Sequence, residues 1–485
     1  MSARTELLAP AGSLAHVEAA AAYGADAVYA GVPHWSLRVR GNGFTPDDFR
    51  RGIACMHERG GRFYAVFNVI PHMRRAAQFP AALDDMAALH PDALIMSDPG
   101  LIATALERHP QLPIHLSVQN NTVNSGTVRF WQRLGIRRCI LARELSLREI
   151  AMIREDCPDM ELEVFVHGAL CIAVSGRCLI SGLLARRDAN LGACTNSCRW
   201  RFNVRSLSAE IEEDDRRRGQ WMPLEEDEHG SYLLNSRDLC ALPVLRQLLD
   251  IGVDCLKIEG RSRSPFYAAA VTRAYRLAID SLRGGGGIPD ESRRIAAAVA
   301  SRPYTTGLLE PHRPDELQDY EGASPEPRWL QVGRITGRRG SRIEVAVLNR
   351  FERSSRLLLL TPPRGDAWGW MPQRCAAATD CPPTVPRGPA TASAWNAPMP
   401  LTRPRPSCCV MTAPSPPAAP AVRRSRSSGP LPPEGRRATR RAPGPPARGG
   451  APPVPRPHQS SPRWWPAAAA PRRPRSRQPA IRSCH

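Results

Sequence analysis

Five cysteines in loop-like stretches rich in glycine, serine and asparagine could do chemistry: Cys171, Cys178, Cys194, Cys198 and Cys240. Thiolates are soft ligands, so cysteines that converge from separate loops could hold either zinc or an iron–sulfur cluster. Their first spacings, of seven, sixteen and four residues, match neither paired C-x2-C zinc knuckles nor a ferredoxin run. The pattern predicts a metal centre without choosing between iron and zinc, and the alternative is buried free thiols.

The remaining cysteines before residue 370 bring the number there to nine. Cys55, Cys139, Cys157 and Cys255 lie in or beside helix and strand patterns, where we expect ordinary buried thiols. An odd number of cysteines, without a secretory signal, favours metal binding or catalysis over disulfides.

Polar residues gather where apolar runs end, which in a barrel of parallel strands places them at one mouth. Two of them, His167 and Glu259, could transfer protons, although plain hydrogen bonding at strand ends is the alternative. The full set is Asn68, Ser97, Asp98, Gln119, Asn120, Arg143, Glu144, His167, Asn235 and Glu259.

The elements that must position these residues alternate between short apolar runs and amphipathic helical stretches. Such alternation predicts βαβ units, and about eight repeats within 285 residues favour an α/β fold of the (β/α)8 TIM-like barrel type over an open doubly wound sheet. Strands are expected at 6–9, 27–31, 62–69, 93–96, 114–118, 139–141, 161–166, 232–234 and 255–258. Helices are expected at 13–23, 46–59, 123–134, 145–155 and 265–282.

The predicted domain organisation follows from where this alternation is interrupted. Residues 1–285 form the barrel, with a Cys-rich insertion at 168–230. Residues 286–327 form a helical linker, and the short strands within 328–366 predict a small β-barrel that stops before it could close.

The charge of the chain is concentrated in its last part. The 485 residues carry a net charge of +20, but residues 381–485 contribute +17 of it, with 18 Arg, no Lys and 27 of the 49 prolines. Such a segment cannot bury enough apolar surface to fold, so 367–485 is predicted to be a disordered tail. The chain has one lysine against 65 arginines, which is typical of a GC-rich gene, and the tail composition indicates a frameshift after about Asp366. A genuine basic tail that binds nucleic acid is the alternative.

The sequence has no apolar stretch of 18 residues and no secretory signal, so we expect a cytoplasmic protein that does not span a membrane. Its oligomeric state is left open. The basic groups outside the tail are Arg137–Arg138, Arg186–Arg187 and Arg216–Arg218. Each is a weak sign of RNA binding, since charge runs are usually solvated faces.

Several motifs, in order along the chain, resemble the collagenase-like peptidase family numbered thirty-two among the unclassified "U" peptidases. The longest is residues 161–200, which run from the strand ending at His167 to Cys198 and Trp200. The others are ELLAPAGS at 6–13, SLRVR at 36–40, ALIMSDPG at 93–100, HLSVQ at 115–119 and KIEGR at 257–261. The motif EDEHGSY at 226–232 is most similar to the subgroup that makes 5-hydroxyuridine in tRNA.

The resemblance implies tRNA modification, namely 5-hydroxylation of a wobble uridine that depends on prephenate and on an iron–sulfur cluster. By the same resemblance, Cys171, Cys178 and Cys194 hold a 4Fe-4S cluster, and Cys198 or Cys240 is the fourth ligand. Prephenate is a dianion, and guanidinium groups bind carboxylates in a bidentate manner. We therefore expect Arg38, Arg40 and Arg261, with Gln119, to bind it, unless these arginines are only solvated surface residues.

Two other functions remain open from the sequence. Proteolysis is implied by the family name, but the sequence has no H-E-x-x-H motif and no compelling nucleophile–base pair. A non-catalytic RNA-binding protein would use the arginine-rich tail, and deletion of 367–485 would then abolish RNA affinity.

Overall fold

The computed structural model describes most of the chain before residue 363 and three short strands after it. The described residues are 5–37, 43–171, 210–212, 221–223, 226–227, 230–231, 236–311, 329–339, 342–349, 357–362, 368–370, 393–396 and 409–412.

Eight parallel strands close into a barrel, which confirms the predicted (β/α)8 fold. Each strand pairs with the next along the chain, and the last pairs with both the seventh and the first. The barrel closes without the predicted strand at 232–234, which lies outside the described residues. The barrel strands are β1 (Glu6–Ala11), β2 (Ala27–Gly31), β3 (Arg62–Phe67), β4 (Ala93–Met96), β5 (Ile114–Leu116), β6 (Arg138–Ile140), β7 (Glu161–Ala169) and β13 (Cys255–Ile258).

Helices connect the strands and cover the barrel. Two of them begin with complete capping boxes, in which Thr45 pairs with Asp48 and Ser146 with Glu149, so free backbone N–H groups are satisfied where these helices begin. The helices are α1 (Leu14–Ala22), α2 (Pro46–His57), α3 (Met73–Ala76), α4 (Phe79–Ala87), α5 (Pro99–Arg108), α6 (Ser125–Arg133), α7 (Leu147–Asp156), α8 (Leu245–Ile251), α9 (Pro265–Arg283) and α10 (Asp290–Ala298). Within the described residues, no helix is long and apolar enough to cross a membrane.

The insertion after β7 contributes further strands. Two small antiparallel pairs form from β8 (Glu210–Glu212) with β9 (Trp221–Pro223) and from β10 (Glu226–Asp227) with β11 (Gly230–Ser231). The chain then returns as β12 (Asp238–Cys240), antiparallel to the end of β7, and β14 (Tyr304–Thr305) extends this edge in parallel to β12.

A second sheet follows the barrel, where the sequence predicted a small β-barrel. Its six strands are ordered β18, β17, β20, β15, β16, β19. It contacts the barrel domain where the Tyr23 hydroxyl donates a hydrogen bond to the Leu360 carbonyl at 2.9 Å. The strands are β15 (Leu330–Arg339), β16 (Arg342–Val347), β17 (Leu357–Leu360), β18 (Trp368–Trp370), β19 (Ser393–Asn396) and β20 (Cys409–Thr412).

Three described strands lie within residues 367–485, where the sequence predicted a disordered tail. β20 pairs with both β15 and β17, so these residues supply part of the sheet that 328–366 alone would leave incomplete. β20 is short and lies between Pro406 and Pro414, so no proline interrupts its pairing. The rest of the predicted tail lies outside the described residues.

Candidate active site at the carboxyl end of the barrel

The loops after β2 to β5 are joined by hydrogen bonds between the polar residues that follow the strands. The Asn68 side chain accepts from the backbone N–H of Leu37 at 3.0 Å and donates to the Ser117 hydroxyl at 3.4 Å. Asn120 donates to the Ser97 carbonyl at 2.5 Å, and the Ser97 hydroxyl donates to the Asn68 carbonyl at 3.3 Å. The structure thus brings this part of the predicted set together at the carboxyl mouth.

The other side of the mouth is formed by the ends of β6, β7 and β13. Arg143 follows β6 and donates to the Ala169 carbonyl at 2.7 Å, while its guanidinium lies 4.0 Å from the centre of the Phe165 ring. The Glu259 carboxylate accepts from the Ala169 N–H at 3.3 Å, and the Glu259 N–H donates to the His167 carbonyl at 2.8 Å. Glu259 is therefore at the mouth, as predicted.

Arg261 lies in the same mouth but is not a surface residue. It is 8% exposed, donates to the Leu37 carbonyl at 2.7 Å, and holds its guanidinium carbon 5.7 Å from the centre of the Tyr29 ring. Gln119 is half-buried in the short 3-10 helix Val118–Asn120 after β5. The other predicted acid-binding residues, Arg38 and Arg40, lie outside the described residues.

His167 is directed away from the mouth by a β-bulge. Lys257 pairs with Phe165 but the next residue, Ile258, pairs with His167, so one residue of β7 is extra. The imidazole is completely buried among Tyr267, Tyr275 and Tyr304, with the ring centres 5.0 to 6.0 Å away. This surrounding favours the hydrogen-bonding alternative for His167 over proton transfer to a substrate.

Both ring nitrogens of His167 face tyrosine hydroxyl groups. Its two nitrogens lie 3.4 Å from the Tyr275 hydroxyl and 3.2 Å from the Tyr304 hydroxyl. Each hydroxyl also has a closer backbone carbonyl acceptor, Val166 at 2.6 Å and Ala296 at 2.9 Å. Burial, with a smaller effect of Arg263, lowers the pKa of His167 to about 3.

Cys240 is buried beside this histidine. In the β12–β7 ladder it pairs with His167, and its sulfur lies 4.0 Å from the Tyr275 hydroxyl. Burial raises the pKa of the Cys240 thiol, so in this environment the protonated form is favoured.

Cys171 is exposed, two residues after the end of β7. It lies four residues along the chain from His167, the partner of Cys240 in the β12–β7 ladder. The other three predicted ligands, Cys178, Cys194 and Cys198, lie outside the described residues. Within the described residues, no group of three or more metal-binding side chains is assembled.

The cysteines predicted to be ordinary thiols are reduced, and three of the four are buried. Cys139, Cys157 and Cys255 are buried, while Cys55 is partly exposed on α2. Burial raises the pKa of all four thiols, which fits a packing role.

A buried charge network below the mouth was not predicted from the sequence. Arg138, which the sequence suggested as part of a basic surface group, is only 2% exposed and bonds to Glu6 at 2.8 Å and to Glu163 at 3.3 Å. Glu163 in turn accepts from Lys257 at 2.6 Å. The sequence does contain a signal for this network, namely charged residues inside otherwise apolar strands. A charge buried in a strand requires a partner of opposite charge, so several such residues predict a network.

The fold and the mouth define the class of protein: a (β/α)8 barrel whose polar groups converge at the carboxyl ends of the strands, where such barrels bind and transform substrates. The chain belongs to peptidase family U32, whose sequence profile matches residues 12–319.

Proteins similar to this chain carry different names. The chain is 45% identical over 392 residues to the tRNA hydroxylation protein P of Escherichia coli K12, covering 74% of this chain and 86% of the relative. It is 42% identical over 396 residues to the protein of the same name from Haemophilus influenzae, with the same two coverages. It is also 32% identical over 291 residues to a collagenase of Porphyromonas gingivalis, covering 58% of this chain and 66% of that protein.

Proposed function

We propose that this protein hydroxylates tRNA. The observation that carries the proposal is the 45% identity to a tRNA hydroxylation protein across 74% of this chain. The mouth supports the proposal, since it combines cationic side chains, a carboxylate and an exposed cysteine at the carboxyl end of a barrel, where such folds carry out catalysis.

The product in this proposal is 5-hydroxyuridine at the wobble position. Replacing the C5 hydrogen of uridine by a hydroxyl group is an oxidation, and protein side chains alone do not supply an electron acceptor for it. A cofactor is therefore part of the proposal, and the cysteines are the residues that would hold it.

The cofactor in this proposal is a 4Fe-4S cluster, with zinc in a structural role as the alternative. Cys171 fits as a ligand, because its thiol is exposed beside the mouth at the beginning of the insertion that carries Cys178, Cys194 and Cys198. Cys240 would have to leave the contact with Tyr275 and lose its proton to serve as a ligand. When bound, such a cluster supplies one-electron redox chemistry.

Prephenate is the proposed co-substrate, and the mouth offers cations for its two carboxylates. Arg261 is held in place by the Leu37 carbonyl, and Arg143 is held by the Ala169 carbonyl and the Phe165 ring. Fixed guanidinium groups bind carboxylates well, since little side-chain entropy is lost on binding. The Glu259 carboxylate, held by the Ala169 N–H at the same mouth, would repel a carboxylate placed too close, which restricts the orientation of the acid.

The experiment is a hydroxylation assay with the full chain purified without oxygen, unmodified tRNA and prephenate, followed by mass spectrometry of the nucleosides. We expect 5-hydroxyuridine only when prephenate is present and the protein carries iron and sulfide. Hydroxylation by iron-free protein would refute the cofactor, and failure of iron- and sulfide-loaded protein with prephenate would refute the function.

Proteolysis is the second candidate, favoured by the similarity to a collagenase. The same preparations should be incubated with denatured collagen. Cleavage that survives removal of iron and needs no tRNA would support a peptidase, whereas we expect none. RNA binding through the basic tail alone can be tested by a chain that ends after Ser415, which retains all six strands of the second sheet.

A further inference from the structure

Lys257 is the only lysine in the chain, and it lies inside the barrel. It is the third of the four residues of β13 and pairs with Leu8 on one side and Phe165 on the other. Lysine is mostly found on protein surfaces, because burying an ammonium group without a partner is costly. It is therefore unusual that the single lysine of this chain lies in the barrel interior.

The surroundings of its amine are one carboxylate and two aromatic rings. The Nζ atom donates to Glu163 Oε1 at 2.6 Å and lies 4.3 Å from the centre of the Tyr29 ring and 5.4 Å from that of Phe165. Burial lowers the pKa of Lys257, while the Glu163 carboxylate opposes the shift. The amine thus has a proton acceptor in contact and an apolar surrounding, which are the conditions that turn a lysine into a nucleophile.

Each of these two rings also contacts the guanidinium group of an arginine at the mouth. The Arg261 guanidinium carbon lies 5.7 Å from the Tyr29 ring centre, and that of Arg143 lies 4.0 Å from the Phe165 ring centre. The Nε atom of Arg143 is buried and has no hydrogen-bond partner among the described residues. A carboxylate is the group that would satisfy it.

Tyr29 lies between the amine and the mouth. Leu8 pairs with both Lys257 and Ala27, and Tyr29 is two residues further along β2 toward its carboxyl end. Lys257 is therefore about one side-chain layer below the two arginines. Tyr29 is 5% exposed and Phe165 is 7% exposed, so one of these rings must turn aside before a molecule in the mouth reaches the amine.

We propose that Lys257 forms an imine with the carbonyl carbon of a 2-oxo acid whose carboxylates are bound by Arg143 and Arg261. The identity of the natural acid rests on the proposed function, in which prephenate is the co-substrate. Prephenate carries a 2-oxo acid side chain and so has the carbonyl group that the imine requires. The imine would fix the carbonyl of that acid at one place in the barrel.

The step needs no oxidant or reductant. Glu163 takes a proton from the ammonium group, and the freed amine adds to the carbonyl carbon to give a carbinolamine. In this addition one amine proton moves to the former carbonyl oxygen, which becomes a hydroxyl group. Glu163 then returns its proton to that hydroxyl group, the C–O bond breaks, the oxygen leaves as water, and the nitrogen lone pair forms the C=N bond of an iminium ion. The network keeps its charge balance, because the iminium ion remains positive beside Glu163.

The test uses the single lysine as a built-in label. The full-length protein is incubated with prephenate, with pyruvate, or with lactate as the control that lacks a carbonyl, then treated with borohydride and digested for peptide mass spectrometry. We expect a reduced adduct on the peptide containing Lys257 with both oxo acids and none with lactate. The N-terminal amine is the other primary amine in the chain, and its peptide is read separately.

Absence of an adduct at Lys257 with both oxo acids, or adducts at the N-terminal amine only, would overturn the proposal. Either result leaves the proposed function intact if the same protein hydroxylates tRNA. The variant Lys257→Arg keeps a cation beside Glu163 but cannot form an imine, so we expect at least a tenfold loss of the hydroxylation rate constant with unchanged tRNA binding. Wild-type hydroxylation by this variant would also overturn it.

Discussion

Gly168 and the backbone of Glu259 are in direct contact: a Cβ atom built on Gly168 would lie 2.5 Å from the Glu259 carbonyl oxygen. Gly168 also has a φ of +108°, a conformation that side-chain-bearing residues rarely adopt. The contact joins the end of β7, where the Cys-rich insertion begins, to the loop after β13 that carries Arg261. Close approach of these two backbones places the described beginning of the insertion, residues 168–171, beside the mouth.

Replacement of Gly168 by alanine should therefore destabilise the protein and reduce activity together. We expect a loss of unfolding free energy of at least about 2 kcal/mol, from the strained φ and the contact with Glu259. The matched control is Gly287→Ala, where no atom lies within 4 Å of the added Cβ. Urea denaturation and the tRNA assay measure both effects, and equal stability of the two variants would contradict this reading of the contact.

Arg138→Met should destabilise the barrel strongly. Although burial alone would raise the pKa of Glu6, Arg138 and Arg62 hold it below its usual value, so the carboxylate is charged and depends on these partners. Loss of one partner of a buried ionic group costs about 3–5 kcal/mol. Arg129→Met is the control, because its pair with Asp156 is exposed and is worth at most about 1 kcal/mol.

A second change tests the reason for that loss. Adding Glu6→Gln to Arg138→Met removes one of the two buried carboxylates that lose Arg138 as a partner, so part of the stability should return. If the double variant were no more stable than Arg138→Met, the loss would come from packing and not from the uncompensated carboxylate charge.

Stability should fall as the pH drops below about 6.5. The pKa of His167 is about 3 in the folded protein, against 6.5 for an ordinary histidine, so only the unfolded chain binds a proton between these values. The unfolding free energy then decreases by up to about 1.4 kcal/mol per pH unit for each such histidine. His115 adds to the slope, because burial, with Arg138 and Lys257 contributing, holds its pKa well below 6.5.

The variant His167→Phe isolates the contribution of one histidine. Between pH 6.5 and 4.5, the unfolding free energy of this variant should depend less steeply on pH, by up to about 1.4 kcal/mol per pH unit, the contribution of one proton. The part of the slope due to His115 should remain. Urea titrations across this range give the slopes directly. Identical slopes for the wild type and the variant would mean that His167 is protonated in the folded protein.

Cys171→Ser should remove the iron, the visible absorption and tRNA hydroxylation, since serine is a poor ligand for iron in a cluster. Cys55→Ser is the control, because Cys55 lies on α2 and is not among the predicted ligands. Retained hydroxylation in Cys171→Ser would refute the proposed mechanism. Iron analysis of Cys198→Ser and Cys240→Ser then identifies the fourth ligand, as the substitution at that position should release iron.

Much of this protein follows from the sequence by itself. The alternation of apolar runs with helical stretches predicts the barrel, because strand and helix periods are local properties of the chain. The polar residues at the strand ends, including Asn68 and Glu259, were predicted to meet at the mouth because parallel strands all end on one side.

Other features were decided only by the tertiary structure. Arg138 looks like a surface residue beside Arg137, yet it is buried because its strand faces Glu6, more than a hundred residues away. His167 ends a strand, but a bulge directs it to Tyr275 and not to the mouth. In the sequence, Lys257 is simply a charged residue of the KIEGR motif. In the structure, its amine lies beside the rings of Tyr29 and Phe165. In each case the neighbours are remote in sequence, so local periodicity contains no information about them, and burial against those neighbours determines what the side chain can do.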